Sequence, residues 1–338
     1  MSDGLYYPWP EAPAPGGWRE VAPGVRWLRL PLPFALDHIN VWLLADEDGW
    51  TLVDTGIGYT KIQPVWQTLF ETALEGRPLR RILVTHYHPD HVGQAAWLSE
   101  HFGAPVWMAE EEYALASRLL SVSDEESSAR MADMMVSHGL NGDLLEGLRR
   151  HGNGYRRMVK SLPGAVHFLR DDDVITVGDR RWRVIIGRGH APEHICLASE
   201  SGDLLISGDQ VLPRISTNIS MRPGEESIDP LGLYLASLER LSALPASIRV
   251  LPSHGLVFDG LHHRLDALAA HHRVHLQHLL DACDKPQTAA DVLPVLFKRE
   301  LDGHSILFAM GESIAHLHHL HRQGKLLRSE TEPYRYAR

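Results

Sequence analysis

Two hydrophobic rhythms share this chain, and their order predicts its architecture. Residues 25–30, 39–45 and 49–54 are short apolar or alternating runs that read as three strands, with Asp46-Glu47-Asp48-Gly49 as the turn between the last two. Asp54-Thr55-Gly56-Ile57-Gly58 closes this meander with glycines that permit unusual backbone angles. Helical spacing follows at 59–74, a strand at 79–85, a helix at 92–102 and a short strand at 105–108. Residues 109–163 are long, polar and helical in pattern, without a clear strand, and read as an inserted cap. Strand character returns at 165–169, 174–177, 181–187, 194–198, 203–207 and 248–251. From about residue 261 the period becomes helical, with helices expected at 261–283, 288–301 and 305–323, then a short strand at 325–328 and a charged tail. The fold class is therefore α/β (α+β). An irregular arm spans 1–20, a large mixed domain 21–259 with its helical insertion at 109–163, and a small helix-turn-helix or winged-helix-like unit 260–338.

Composition narrows function more than fold. A chain of 338 residues accommodates one large domain plus a small one. A net charge of −10 argues against a protein that coats nucleic acid. One local exception stands out: Arg149, Arg150, Arg156, Arg157 and Lys160 fall within a dozen residues of the insertion. Such a run reads first as a solvated helix face; its sharper reading is an anion site for a phosphate-bearing substrate. Cys196 and Cys283 make neither a disulfide framework nor a Cys-rich zinc site. A reducing cytoplasm fits, as does the lack of a basic segment with an apolar core in the first seventeen residues. No run approaches the roughly 18 apolar residues of a membrane span.

The chemistry concentrates in Thr85-His86-Tyr87-His88-Pro89-Asp90-His91, where an apolar strand ends in three histidines and an aspartate. Neutral imidazole and carboxylate are the donors that borderline divalent metals prefer. Extended geometry turns His86 and His88 to one side, and Pro89 then turns the chain so that Asp90 and His91 can return towards the same point. With 22 histidines in the chain, a lone pair would mean little; four ligand-type side chains at a strand end mean more. His190, Asp209 and His254 each follow a predicted strand, beside glycines. If those strands share a direction, their ends converge on one edge of the sheets. By contrast His271 with His275, and His318 with His321, lack an accompanying carboxylate pattern and read as solvated or interface histidines.

Taken together, these segments resemble the metallo-β-lactamase-fold hydrolase superfamily. Residues 85–93 resemble its His-x-His-x-Asp-His signature, and Asp54-Thr55-Gly56 its upstream turn. Gly189-His190-Ala191-Pro192-Glu193-His194 resembles its third metal segment, Ser207-Gly208-Asp209 its bridging-aspartate segment, and Pro252-Ser253-His254-Gly255 its last. Ala191 stands where Thr or Ser is usual and Glu193 where Gly is; no ligand position is altered. The resemblance implies an αββα sandwich with the site at one edge. It also implies two divalent metal ions, zinc first with iron or manganese as alternatives: His86, His88 and His190 on one, Asp90, His91 and His254 on the other, Asp209 bridging. One branch of the superfamily, β-lactamase-like protein 2 and its bacterial relatives, appends a winged-helix-like domain, and residues 260–328 are similar in layout.

Two metals about 4 Å apart share a water and bring its pKa towards neutrality, so a metal-bridged hydroxide attacking an ester-like bond is the expected reaction. Asp90 is the expected proton carrier. His194 is the candidate for a substrate-side hydrogen bond, and Asp54 is expected behind the ligands rather than among them. A thioester of the acyl-CoA or glutathione type is the first expected substrate, with the Arg cluster gripping CoA phosphates. A lactonase is a further option; so is a metal-dependent endoribonuclease, which the net charge and the single Arg322 on the last predicted helix disfavour. A cytoplasmic homodimer completes the expectation.

Overall fold

The period-two alternation of the strands resolves into two sheets packed face to face. The computed structural model describes residues 4–142, 145–146, 154–298, 301 and 305–338. The first sheet places β1 (Trp18–Ala22), β2 (Val25–Pro31), β3 (His38–Asp46), β4 (Gly49–Val53), β5 (Leu79–Leu83), β6 (Val106–Ala109) and β7 (Val166–Leu169) side by side in chain order. It is antiparallel through β4 and parallel from β4 to β7. The second contains β8 (Val174–Val177), β9 (Arg180–Gly187), β10 (His194–Ser199), β11 (Leu204–Gly208), β12 (Arg249–Pro252) and β13 (Phe258–Asp259), in reverse order across the sheet. Only β11 and β12 pair in parallel.

On β3, Trp42 and Leu44 point into the space between the sheets, where they meet Trp182, Val184, Ile195 and Leu197. Ile39, Val41 and Leu43 point the other way, under α1 (Gln63–Thr72), α2 (Pro89–Val92) and α3 (Ala95–Phe102), which contribute Trp66, Leu69, Val92 and Leu98. The outer face of the second sheet is covered by the helix Pro230–Leu241 and the first turns of Leu261–Ala282. The layers are helix, sheet, sheet, helix, as the motifs implied.

Several expectations are corrected. Residues 18–20, expected in the arm, belong to strand β1, paired with β2; the stretch WREVA carries no alternation that would reveal it. The helix expected over 92–102 is two helices broken at Gly93, where a Cβ would lie 2.2 Å from the Gly58 nitrogen and 2.4 Å from the Pro89 carbonyl. The helix expected over 288–301 is reduced to Leu293–Leu296 among the described residues. Thr288 and Asp291 exchange side-chain and backbone hydrogen bonds in a turn ahead of it, and Pro294 follows. The charged tail is not free: Tyr336–Ala337 pairs with Leu327–Arg328, and the Tyr336 ring is buried.

The insertion is helical, with α4 (Glu110–Ser121) and α5 (Asp124–Ser137), the latter capped by Ser123 Oγ accepting the Glu126 N–H. A short helix, Gly154–Met158, ends it. Its two halves serve different cores. Leu115 and Ala116 of α4 join the first sheet's helical layer. Ala132 and Met135 of α5 instead share a core with Met310, Ile314, Leu317 and Tyr336, so the C-terminal helices are tied to the sandwich through the insertion. Among the described residues no helix is long and apolar enough to cross a membrane.

β4 and β5 run parallel, and β9, β11 and β12 share one direction, since β9 and β11 are each antiparallel to β10. The condition set by the sequence is therefore met. All the histidine- and aspartate-bearing turns leave strand ends along one edge.

Candidate metal centre

At that edge the seven side chains singled out from the sequence fall into two adjoining groups. His86, His88, His190 and Asp209 form one, and Asp90, His91 and His254 the other; within each group one donor atom per residue lies within 4.8 Å of the rest. His86 Nε2 lies 2.9 Å from His88 Nδ1 and 3.2 Å from His190 Nε2. Asp209 sits between the groups. Its Oδ2 is 3.5 Å from His190 Nε2, and its Oδ1 is 3.3 Å from His254 Nε2 and 3.6 Å from His91 Nε2. Asp90 Oδ2 faces His254 Nε2 at 3.4 Å and His91 Nε2 at 3.7 Å.

The opposite edge of each ring explains why these nitrogens are lone-pair donors. His190 Nδ1–H donates to the Asn218 carbonyl and His254 Nδ1–H to the His38 carbonyl, each at 2.8 Å. His91 Nδ1–H donates to Asp54 Oδ2 at 2.8 Å, and His86 Nδ1–H reaches Thr85 Oγ1 at 3.0 Å. A neutral imidazole that gives its proton at Nδ1 keeps an unprotonated Nε2, and here every such Nε2 turns to the same small volume. His88 differs: it presents Nδ1, while its Nε2 meets the Tyr87 hydroxyl.

Electrostatics point to a cation. Burial, reinforced by the neighbouring imidazoles, holds His86 well below the ordinary histidine value, and burial with His190 does the same to His88. Both are neutral rings at pH 7, able to offer a lone pair. Burial also opposes charge on His91 and His254, but the surrounding carboxylates overcome it: His91 is pushed well above the usual value and His254 up to about 10. Asp90 falls to about 2 and Asp209 well below the carboxylate range, both against burial, through the same histidines. Without a metal, protons on His91 and His254 supply the positive charge that Asp54, Asp90 and Asp209 demand. His91 Nε2 and Asp209 Oδ1 are fully buried and, among the described residues, have no hydrogen-bond partner. Orphaned buried donors facing one another, in a His/Asp set, fit borderline divalent cations.

A ring of supporting residues holds this geometry. Asp54, expected behind the ligands, is there: it takes the Thr85 N–H at 2.8 Å, the Thr85 hydroxyl and His91 Nδ1–H, from a left-handed backbone with φ of 64°. Removing such a carboxylate costs metal affinity typically 10–100-fold. Asp54→Asn is therefore expected to weaken binding of one metal equivalent by about that factor, measured by chelator competition. Three supporters were not legible in the sequence. Glu112 of α4 is fully buried and accepts the Tyr87 N–H at 2.9 Å and the Glu193 N–H at 2.6 Å, joining two ligand-bearing loops. Tyr155 donates its hydroxyl to the Tyr87 carbonyl at 2.7 Å. His38 accepts the Gly255 N–H and so fixes the turn after His254. The only signal for Glu112 is an acidic triplet, which a helix N-terminus explains by itself.

His194 lies behind the site rather than on an open face. It is fully buried; Nε2 accepts the Asp209 N–H at 3.0 Å, and Nδ1 lies 3.7 Å from Cys196 Sγ. Gly208 makes this approach possible, since a Cβ there would meet the His194 ring at 2.3 Å. Of the basic run, Arg149 and Arg150 lie outside the described residues. Arg156, Arg157 and Lys160 are exposed, on the segment that carries Tyr155 to the Tyr87 carbonyl between His86 and His88.

Likeness to known proteins agrees with this geometry. The family described as Metallo-beta-lactamase superfamily matches residues 35–254, and the Metallo-beta-lactamase-like C-terminal domain matches residues 276–338. The crystal structure of a beta-lactamase domain protein from Burkholderia ambifaria is 44% identical and superposes with a TM-score of 0.92, covering 99% of this chain and 98% of that one. A metallo-beta-lactamase family protein from Thermus thermophilus is 31% identical with a TM-score of 0.79, covering 94% of this chain and 100% of that one. The atrochrysone carboxyl ACP thioesterase AgnL7 from Paecilomyces divaricatus is 23% identical over 68% of this chain and 54% of its own length. This chain spans little more than half the length of the first curated relatives it matches.

Proposed function

This chain belongs to the metallo-β-lactamase superfamily, and on that premise we propose that it is a dinuclear metallo-hydrolase acting on thioesters of a phosphate-bearing carrier such as coenzyme A. The observation that carries the reading is Asp209, which turns one carboxylate oxygen to each of two complete ligand groups. His86, His88 and His190 would hold one ion and Asp90, His91 and His254 the other. Zinc suits these donors first, with iron or manganese as the outcomes metal analysis would distinguish. When bound, such a pair supplies an acidified water and an electrophile for the scissile carbonyl. The chain does the rest. Asp90, whose side chain is 20% exposed, lies on the open side of its group and is placed to orient the nucleophile and carry its proton to the leaving group. His194 acts through Asp209, as a positioning residue.

Two observations support the thioester over the alternatives. Exposed Arg157 and Lys160 follow Tyr155, whose hydroxyl bonds the Tyr87 carbonyl between His86 and His88, and are the cations through which a carrier phosphate would be met. Distant relatives at 23% identity include enzymes named as acyl carrier protein thioesterases. Nuclease action through the C-terminal unit is disfavoured, because residues 309–320 of its last helix are all buried and offer no face to a groove. A homodimer remains part of the reading; much of the apolar surface of the C-terminal helices is covered within the chain, while Val274 and Phe308 stay exposed. A winged-helix-like reading of 260–338 is supported by its helices and closing two-stranded ladder. A cytoplasmic site of action accords with two buried, unpaired cysteines.

The test is a metal-loaded activity panel: acyl-CoA and glutathione thioesters, a simple lactone and single-stranded RNA. Metal-dependent thioester turnover is expected, and RNA cleavage with inert thioesters would overturn the proposal. Reversing charge at Arg157 and Lys160 together should raise KM for the CoA thioester roughly tenfold while leaving a phosphate-free thioester unchanged, the scale expected of two exposed charges. Equal effects on both substrates would remove the phosphate contact from the reading.

A further inference from the structure

Away from the edge of the sandwich, the C-terminal unit holds a second concentration of imidazoles. His271, His272 and His275 lie on the helix Leu261–Ala282, and His316 on the helix Ser305–Arg322 packed beside it. In the sequence the His271/His275 pair lacks a carboxylate; the structure supplies Glu312 from the second helix. One donor atom from each of His271, His275 and Glu312 lies within 4.8 Å of the others.

Hydrogen bonding divides these histidines into two kinds. His316 Nδ1–H donates to the Glu312 carbonyl at 2.8 Å, so its Nε2 is the acceptor of the His272 Nδ1–H at 3.0 Å. These two bond one another and read as core, although among the described residues His272 Nε2 has no partner of its own. His271 and His275 do not: His271 Nε2 and His275 Nδ1 are buried and, among the described residues, without a hydrogen-bond partner. Their rings stand one helical turn apart with centroids at 4.0 Å. Each ring therefore presents a buried nitrogen with no partner among the described residues to the space between them. Glu312 is 8% exposed, and its carboxyl makes no hydrogen bond or ion pair with any described residue. An unpaired buried carboxylate is costly, and two neutral imidazoles beside it offer no relief. A cation would relieve all three at once.

We propose that His271, His275 and Glu312 form a third metal site, for one divalent cation of the zinc class, that fastens the two long C-terminal helices to each other. Two nitrogens and a carboxylate oxygen are a common zinc donor set, and the partly exposed histidine side leaves a position for water. The site also bears on the catalytic edge. Gly311, next to Glu312, accepts the Met221 N–H at 3.0 Å, and Ser220 donates to the side chain of Asn218, whose carbonyl orients His190. A cation at Glu312 would steady the helix against which that segment rests.

The experiment compares zinc stoichiometry of the full chain with His275→Ala and Glu312→Gln, each stripped with chelator, titrated with zinc and freed of excess. Either variant is expected to bind one equivalent fewer than the parent, with affinity at that site reduced on the order of 100-fold or more. The zinc-dependent rise in unfolding temperature should shrink accordingly. Glu312→Gln guards against misfolding as an explanation: it keeps the side-chain shape and removes an unpaired buried charge, so the metal-free variant should melt no lower than the metal-free parent. Equal stoichiometry in parent and variants would overturn the proposal. Because the readout is a difference of one equivalent, it stands apart from whether the Asp209 site binds metal or turns over any thioester.

Discussion

Replacing Asp209 by alanine is expected to leave a folded protein that retains fewer than two metal equivalents at the catalytic edge and loses turnover by about 1,000-fold or more. The size of the effect follows from position. One carboxylate reaches towards His190 with one oxygen and towards His254 with the other, so its loss removes a ligand from both groups. The fold should survive because the Asp209 backbone keeps its bond to His194, and because the side chain is itself a buried charge beside a second carboxylate, Asp90. Metal analysis after dialysis, paired with turnover on a CoA thioester, checks this. Two full equivalents remaining at the edge would defeat the assignment of Asp209 between the ions.

Glu112→Ala should be the most damaging change outside the ligands. The substitution leaves the Tyr87 and Glu193 amides buried without an acceptor, at about 1–3 kcal/mol each, so a loss of roughly 2–6 kcal/mol is expected in denaturant unfolding. It also frees the His86–His88 turn and the loop leading to His194, so metal affinity should fall with stability. A loss below about 0.5 kcal/mol would show that these amides find other partners. Charge on Glu112 adds a pH signature. Burial pushes its carboxyl from 4.5 up to about 7, although two amide bonds favour the ionised form. A raised folded-state value means that the group's contribution is complete below about pH 4.5 and is lost as pH rises through about 7. In metal-free protein, Glu112→Gln should flatten the stability profile over that window.

Legibility differed from element to element for identifiable reasons. Strands β2 to β5 were readable because each buries apolar residues on both faces of a central sheet position, leaving dense Trp, Leu, Ile and Val runs. Strand β1 was not, since an edge strand of five residues needs only a partner's backbone and little apolar surface. The tail strand Tyr336–Ala337 is two residues long and exists because Leu327–Arg328 lies opposite, a fact no local window contains. His194 was noticed as the last residue of the third metal segment, yet its bond to Asp209 depends on Gly208 letting two loops approach.

What the sequence determined by itself is whatever covalent neighbours decide: the alternation that selects strands, the glycine-bearing turns after them, and donor types crowded into residues 85–91. Tertiary structure alone decided which distant groups complete each site. His254 is oriented by the carbonyl of His38, 216 positions away, and His190 lies against His86 across 104 positions. Glu112 is one acid of three in a row until folding buries it under two ligand loops. Glu312 is one residue on an apolar helix until that helix packs beside His271 and His275. The physical reason is common to all four. A hydrogen bond or a ligand field acts over a few ångströms, and only the packed sheets and helices bring such remote residues within that range.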